Sequence, residues 1–198
     1  MPAPKLATVE NLKVPPHSIE GEQAVLGGLL LSPRAFDQVA DVITETDFYR
    51  EDHRLIYRAI HELSNKGKPC DAVTVTEWFE SHGKVDQVDG GGYISQLASS
   101  TPSAANVKAY AKIVRERSVL RQLISVGTDI SDIAFNPEGR DAADMLDEAE
   151  AAARAVLKAS LDPMFVIDCQ GRVLLASDSV ESVFGWPPAE FIGQNVSV

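Results

Sequence analysis

The feature that most constrains this chain is an apolar pattern of helical period that runs without a break over residues 103–134. The segment 136–139, Asn-Pro-Glu-Gly, follows it as a strong turn signal. A second pattern of the same period begins after Asp141, which is placed to cap a helix. Two long amphipathic helices joined by a short turn predict an antiparallel helical hairpin over residues 103–157, and hence a mostly α fold.

The apolar stripe of this hairpin is longer than the preceding body of about 85 residues can cover. Such a stripe must pack either against the rest of its own domain or against another subunit, and both alternatives stay open at this stage. The candidate interface residues are Val107, Tyr110, Val114, Leu120, Leu123, Ile124, Ile130, Met145 and Leu146.

The residues before the hairpin predict several shorter helices. Prolines at positions 2, 4, 15 and 16 indicate a flexible N-terminal arm over residues 1–16. Ser18 is a plausible N-cap of the first helix, and Gly27 in that helix suggests that another element packs closely there. Thr74 and Glu77 have the spacing of a capping box, which predicts a further helix start.

The charge of the chain argues against direct binding of nucleic acid. Eighteen basic residues face 29 acidic ones, for a net charge of −11, whereas a grip on phosphates requires a positive stripe. One stretch of the sequence is basic although the chain as a whole is acidic, and a solvent-exposed helix face is its simpler interpretation. The alternative is a weak contact with a polyanion such as DNA or an acidic partner through Lys108, Lys112, Arg115 and Arg121.

Motifs for catalysis, nucleotides and metals are missing from the sequence. A phosphate-binding loop needs Gly-Lys followed by Ser or Thr, but Lys68 precedes proline and Lys84 precedes valine. The four histidines lack the i, i+4 spacing of a helical metal pair, so we expect them at surfaces or helix ends. The two cysteines, Cys70 and Cys169, lie far apart in the sequence, and neither belongs to a Cys-x-x-Cys pair. We therefore assign no catalytic, cofactor-binding or metal residue.

Two further expectations concern location. No apolar run approaches the roughly 20 residues that cross a bilayer, and the first residues carry no apolar core of a secretion signal. We therefore expect a cytoplasmic protein without a membrane partner.

Several blocks, in order, resemble the N-terminal domain of the DnaB family of replicative DNA helicases. They are Pro15-Pro16-His17-Ser18-Ile19-Glu20-Gly21-Glu22-Gln23-Ala24-Val25-Leu26-Gly27-Gly28, Asp47-Phe48-Tyr49, His53-Arg54-Leu55-Ile56-Tyr57-Arg58-Ala59-Ile60, Thr101-Pro102-Ser103-Ala104-Ala105-Asn106-Val107, Tyr110-Ala111-Lys112-Ile113-Val114-Arg115-Glu116-Arg117 and Leu146-Asp147-Glu148-Ala149-Glu150. The resemblance covers roughly residues 15–150 and gives a helical domain over residues 17–154.

The resemblance implies a function in the primosome. In this family the helical hairpin pairs with that of a neighbour, three pairs form a collar on a hexameric ring, and primase docks on the collar. A helicase loader is a further partner that it implies, and DNA contact would come only through the full-length helicase. ATP and magnesium belong to the motor domain of that helicase, so we expect no catalytic activity from these residues.

Beyond residue 154 the pattern changes to one rich in β-formers. Pro163-Met164-Phe165-Val166-Ile167-Asp168, Gly171-Arg172-Val173, Phe184-Gly185-Trp186 and Glu190-Phe191-Ile192-Gly193 resemble the start of a PAS sensor domain. Residues 155–198 are therefore expected to form an incomplete α/β fragment. The alternative function is a PAS-containing signalling protein, and whether the junction is natural or an artefact stays open.

Overall fold

The structure, a computed structural model, describes residues 14–137, 139–159 and 163–195. Its elements are α1 (Ile19–Leu31), α2 (Glu51–Asn65), α3 (Ala72–Ser81), α4 (Gly92–Ser100), α5 (Val107–Phe135), α6 (Ala142–Ala159), β1 (Phe165–Ile167), β2 (Val173–Ala176), α7 (Ser179–Phe184) and α8 (Pro188–Phe191). The mostly helical fold class is confirmed. The expected arm falls largely on residues 1–13, which lie outside the described residues.

The first helix begins where the sequence predicts. Ser18 is the N-cap of α1, and its Oγ accepts a hydrogen bond from the backbone N–H of Gly21. The helix is buried along most of its length because α2, α4 and α5 all pack on it. It therefore forms the centre of the helical body.

The close packing expected at Gly27 is present. A Cβ atom on Gly27 would lie 1.9 Å from Oγ1 of Thr101 and 2.5 Å from the carbonyl oxygen of Leu97. Only a residue without a side chain lets the end of α4 approach α1 this closely. The contact therefore fixes the position of the end of α4 on α1.

Two expected helix starts are wrong. The N-cap of α3 is Asp71, whose carboxylate accepts from the N–H groups of Val73 and Thr74, so Thr74 lies inside the helix and forms no capping box. Helix α5 begins at Val107 and not at Ser103, because the chain forms a turn before Asn106. The cap of α6 by Asp141 is confirmed, since its Oδ1 accepts from the N–H of Asp144.

The C-terminal segment is called the tail, and it comprises residues 163–195. Its strands β1 and β2 pair antiparallel, with Phe165 opposite Ala176 and Val166 opposite Leu175. Helices α7 and α8 follow, and the N–H of Val173 donates to the carbonyl oxygen of Gln194 on the other side of β2. The expected hairpin of strands is confirmed.

Candidate protein-interaction surface

The first half of α5 is anchored in the core. Val107, Ala111 and Val114 are at most 1% exposed, and Ser118 beside them is also buried. They recur at helical spacing and face α1, the main partner of this half of the helix. This end of the hairpin, called the base, is therefore part of the folded body.

The second half of α5 projects beyond that body. From Leu120 to its last residue, Phe135, no side chain of the helix is fully buried. Arg121 still reaches Pro16 and Asp47 of the body, and beyond it the main contacts of the helix are with α6. The 29 residues of α5 span about 44 Å at the rise of an α-helix. The far end, called the tip, therefore has α6 as its principal support.

The projecting half carries large apolar side chains in contact with solvent. Leu120 and Leu123 are 40% exposed, Ile124 is 55% exposed and Leu146 on α6 is 71% exposed. Isolated exposed leucines are ordinary on protein surfaces, but four on one projecting hairpin make a candidate binding surface. We call Leu120, Leu123, Ile124 and Leu146 the hairpin surface.

The structure divides the nine residues proposed from sequence. Val107 and Val114 are core residues and offer no surface to a partner, because they face α1. Tyr110 is partly buried against that core, and Ile130 and Met145 are partly buried on the hairpin. The other four form the hairpin surface, and their role in an interface stays a prediction.

Two of the four basic candidates are held inside the fold. Nη1 of Arg115 donates to Oδ1 of Asp47 at 2.7 Å, and Asp47 is fully buried. Arg121 donates to the carbonyl oxygens of Pro16 and Asp47, and its guanidinium lies 5.7 Å from the ring centroid of Tyr49. Both side chains fasten the base of the hairpin to the body, so they are poorly placed to grip a polyanion.

Burial has an electrostatic effect on Arg121. Desolvation lowers the pKa of its guanidinium, while the carboxylates of Glu22 and Asp47 oppose that shift. The exposed candidates Lys108 and Lys112 lie at the same end of α5. For these two lysines a weak polyanion contact stays a prediction.

A buried polar network lies at the centre of the body. Nδ1 of His53 lies 2.6 Å from Oε2 of Glu22, and its Nε2 lies 2.7 Å from the hydroxyl of Tyr93. The N–H of Tyr49 donates to Oε1 of Glu22, and the amide of Gln23 donates to the hydroxyl of Tyr93. The network joins α1, α2 and α4. Its members Glu22 and His53 are buried, while Gln23, Tyr49 and Tyr93 are partly buried.

His53 lies at a helix end, in the first turn of α2, which was one of the two expected places, but it is 0% exposed and not at the surface. A signal was present in the sequence, because His53 has helical spacing with the apolar residues Ile56 and Ile60. A histidine on an apolar face needs a buried partner. Nothing in the sequence alone identified Glu22, 31 residues earlier, as that partner.

Neither of the two Gly-Lys sites that the sequence singles out fits a phosphate loop. Gly67 and Gly83 have positive φ and follow the C-terminal ends of α2 and α3. A helix C-terminus carries partial negative charge, so it repels phosphate, whereas phosphate loops precede a helix N-terminus. The described residues also contain no cluster of three or more potential metal ligands, and none of their helices is long and apolar enough to cross a membrane.

Two family models match parts of this chain. The family model described as DnaB-like helicase N terminal domain matches residues 14–116, and that of the PAS fold matches residues 151–198. The replicative DNA helicase DnaB of Haemophilus influenzae is 44% identical over 140 residues, which are 71% of this chain and 30% of that protein. DnaC of Bacillus subtilis, also a replicative DNA helicase, is 42% identical over 140 residues.

Solved structures agree with the helical part of the fold. The crystal structure of the N-terminal domain of DnaB helicase from Mycobacterium tuberculosis matches with a TM-score of 0.68 and 39% identity, covering 70% of this chain and 97% of that one. A DnaB-like replicative helicase, solved in a study of its interactions with primase, matches with a TM-score of 0.58 and 25% identity, over 31% of its length. The chain spans about 30% of the length of the curated relatives it matches.

Proposed function

This chain belongs to the DnaB-like helicase N-terminal domain family, and on that premise we propose that it is the interaction domain of a bacterial replicative helicase. It pairs with a second copy of itself through the hairpin, as part of a collar, and it docks primase. The observation that carries this proposal is the hairpin surface on a helix that extends past its own core.

The energetics of pairing are favourable but modest. Leu120, Leu123 and Ile124 keep about half of their surface in water. Covering what remains contributes about 1 kcal/mol for each side chain at the usual value per unit of apolar area. Association of two copies also costs rotational and translational freedom. Pairing therefore requires that a large part of the hairpin, on both copies, is buried at once.

The charges of the hairpin favour an antiparallel pair. Its base carries exposed Lys108, Lys112 and Arg117, while its tip carries acidic side chains on both helices. The acidic residues are Asp129, Asp132, Asp144 and Asp147. In an antiparallel pair each acidic tip meets the basic base of the other copy, which gives complementary potentials at both ends.

The proposal on primase is supported by the similar helicase that was studied for its interactions with primase. We extend that class of partner to this chain, together with a helicase loader, because the similarity covers 70% of the chain. DNA contact and the use of ATP and magnesium are assigned to a full-length helicase. The corresponding location is the cytoplasm.

A PAS-type signalling protein is the second candidate, and the match of residues 151–198 favours it. In that case a small molecule bound by the tail raises the unfolding temperature of the chain. A screen that finds no such shift counts against this candidate and leaves the first one standing.

The test of self-association uses the double variant Leu123→Glu/Ile124→Glu. Both side chains are exposed in the monomer, so the variant should fold, and two carboxylates on the paired surface should abolish pairing. Sedimentation velocity up to high micromolar concentration measures the outcome. Val73→Glu, at the most exposed apolar residue of α3, is the matched control and should pair as the unaltered chain does. The proposal fails if the chain stays monomeric both without substitutions and with residues 163–195 displaced from the hairpin.

A further inference from the structure

The tail lies against the base of the hairpin. Strand β2 contacts α6, and Val156 of α6, near the end of that helix, is only 5% exposed. Met164 and Ser182 of the tail form one wall of a cleft of about 690 Å³. The tail therefore shares a boundary with the hairpin.

The same cleft contains part of the hairpin surface. Its apolar lining includes Leu120 and Leu123, with Val42 and Val119 beside them, and its basic side chains are Lys108, Lys112, Arg115 and Arg117. Asp41 and Glu116 also line it. Ile124, the next residue along α5, lies outside the cleft. Two of the side chains that a second copy would cover are thus next to the tail.

We propose that the tail is an intramolecular competitor of hairpin pairing. The tail lies beside Leu120 and Leu123, where the tip of a second copy would bind in an antiparallel pair. Pairing therefore requires the tail to move away. The inference rests on the proposed function, because it concerns the regulation of that same surface.

The contact of the tail is weak enough to be reversible. The tail leaves many of its own large apolar side chains in water, among them Val183, Phe184 and Trp186, each more than half exposed. Leu120 and Leu123 also stay 40% exposed beside it. An element that buries so little surface binds loosely, and loose binding suits a competitor that must be released.

Tethering compensates for that weakness. A short connection, here the three residues 160–162 between α6 and the tail, gives a segment an effective concentration on the order of millimolar at its own binding site. A second copy arrives at the micromolar concentration of the free protein. If the closed arrangement is about three times as populated as the open one, and both copies must open, the association constant falls about 16-fold.

The experiment displaces the tail in the full chain with Met164→Lys/Ser182→Lys. New positive charges at these positions face the basic side chains of the cleft, so they repel the tail from the base. The matched control, Ile167→Lys/Leu174→Lys, adds the same charge at exposed positions of the tail that do not line the cleft. Sedimentation velocity over a dilution series gives the dissociation constant of each protein.

The displaced variant should associate about tenfold or more tightly than the unaltered chain and the control. Equal association of all three overturns the inference and leaves the proposed function intact. Weaker association of the displaced variant also overturns it, because the tail would then be part of the interface. If even the displaced variant is monomeric, the proposed function fails and the inference fails with it.

Hydrogen exchange on the unaltered chain provides a test that does not depend on a variant. As the protein is concentrated and pairs form, amides of β1 and β2 should exchange faster, because the released tail loses its support. Amides of α5 around Leu123 should exchange more slowly over the same range. Unchanged or slower exchange in the strands overturns the inference.

Discussion

Glu22 and His53 form a buried pair, with Oε2 of the carboxylate 2.6 Å from Nδ1 of the imidazole and both side chains at most 1% exposed. A carboxylate without a bound proton can only accept, so Nδ1 is the donor, while Nε2 shares a hydrogen bond with the hydroxyl of Tyr93. The pair connects α1 to α2, and Tyr93 extends the connection to α4. The helices that support the base of the hairpin are therefore held in register by polar contacts as well as by apolar packing.

Replacing His53 with alanine should be strongly destabilising. The change leaves the buried carboxylate of Glu22 without its imidazole partner, and such a loss costs about 3–5 kcal/mol of the free energy of unfolding. Tyr93→Phe removes one hydroxyl of the same network and should cost about 1 kcal/mol. Urea unfolding measures both values.

The matched control for His53 is His61→Ala, which removes an exposed histidine from the same helix. It should change the free energy of unfolding by no more than about 0.5 kcal/mol. A loss at His53 no larger than that at His61 contradicts a structural role for the network.

Gly27→Ala should destabilise the chain because the added methyl group overlaps Thr101 and the carbonyl oxygen of Leu97. Forcing α4 away from α1 costs about 1–3 kcal/mol. Gly127→Ala, in the projecting half of α5, is the opposite case, since a Cβ there meets nothing within 4 Å. It should stabilise by about 0.5–1 kcal/mol through helix propensity. Thermal unfolding should show a lower Tm for Gly27→Ala and a higher Tm for Gly127→Ala. Shifts of Tm in the same direction for both variants would contradict the prediction.

The stability of the chain should depend on Tyr57 at alkaline pH. Burial raises the pKa of this phenol from its ordinary value of 10.0 to about 12, with the charge of Asp47 adding to the shift. Its hydroxyl donates to the carbonyl oxygen of Ile43. Because the folded-state pKa is the higher one, the stabilisation is complete below pH 10 and is lost as the pH rises from about 10 to about 12.

Comparison with Tyr57→Phe isolates this effect. Urea unfolding should show a constant difference in free energy between the two proteins up to about pH 10 and a shrinking difference above it. Other groups that titrate at this pH are present in both proteins, so their contributions cancel. A difference that does not change with pH contradicts the prediction.

The two cysteines should react at different rates with iodoacetamide. Burial raises the pKa of the Cys70 thiol, and the neighbouring Asp71 adds to the shift, whereas Cys169 is exposed in the turn between β1 and β2. Since the thiolate is the nucleophile, Cys70 should be alkylated about tenfold more slowly at about pH 8. Mass spectrometry of peptides follows both sites. In urea the two rates should converge, and similar rates without urea would refute the explanation by burial.

The sequence was sufficient for features that depend on neighbours along the chain. The hairpin followed from apolar spacing, and the cap at Ser18 and the pair of strands followed from local residue preferences. The helix start near Thr74 was misplaced because Asp71, three residues earlier, caps equally well and has two N–H groups within reach. Preferences of neighbouring residues alone do not decide which of two such candidates becomes the N-cap.

Features that depend on distant partners could not be predicted. Arg115 and Arg121 belong to a basic stretch, and spacing alone favours solvent for both. Their partner Asp47 lies 68 and 74 residues away in the chain, so only the fold brings these groups together. The hairpin surface was predicted in part, since the same stripe contains the core residue Val114 and the exposed residue Leu123, and spacing does not separate them.

Helix α5 is one continuous rod that is buried at its base and exposed at its tip. A tilt at the base therefore moves the tip as a lever would. The 15 residues from Arg121 to Phe135 extend about 22 Å past their fulcrum, so a tilt of about 10° displaces the tip by about 4 Å. The fulcrum is the place where Arg115 and Arg121 fasten the rod to Asp47. Small rearrangements at the base are thus amplified at the far end, where the projecting half of the hairpin is supported mainly by α6.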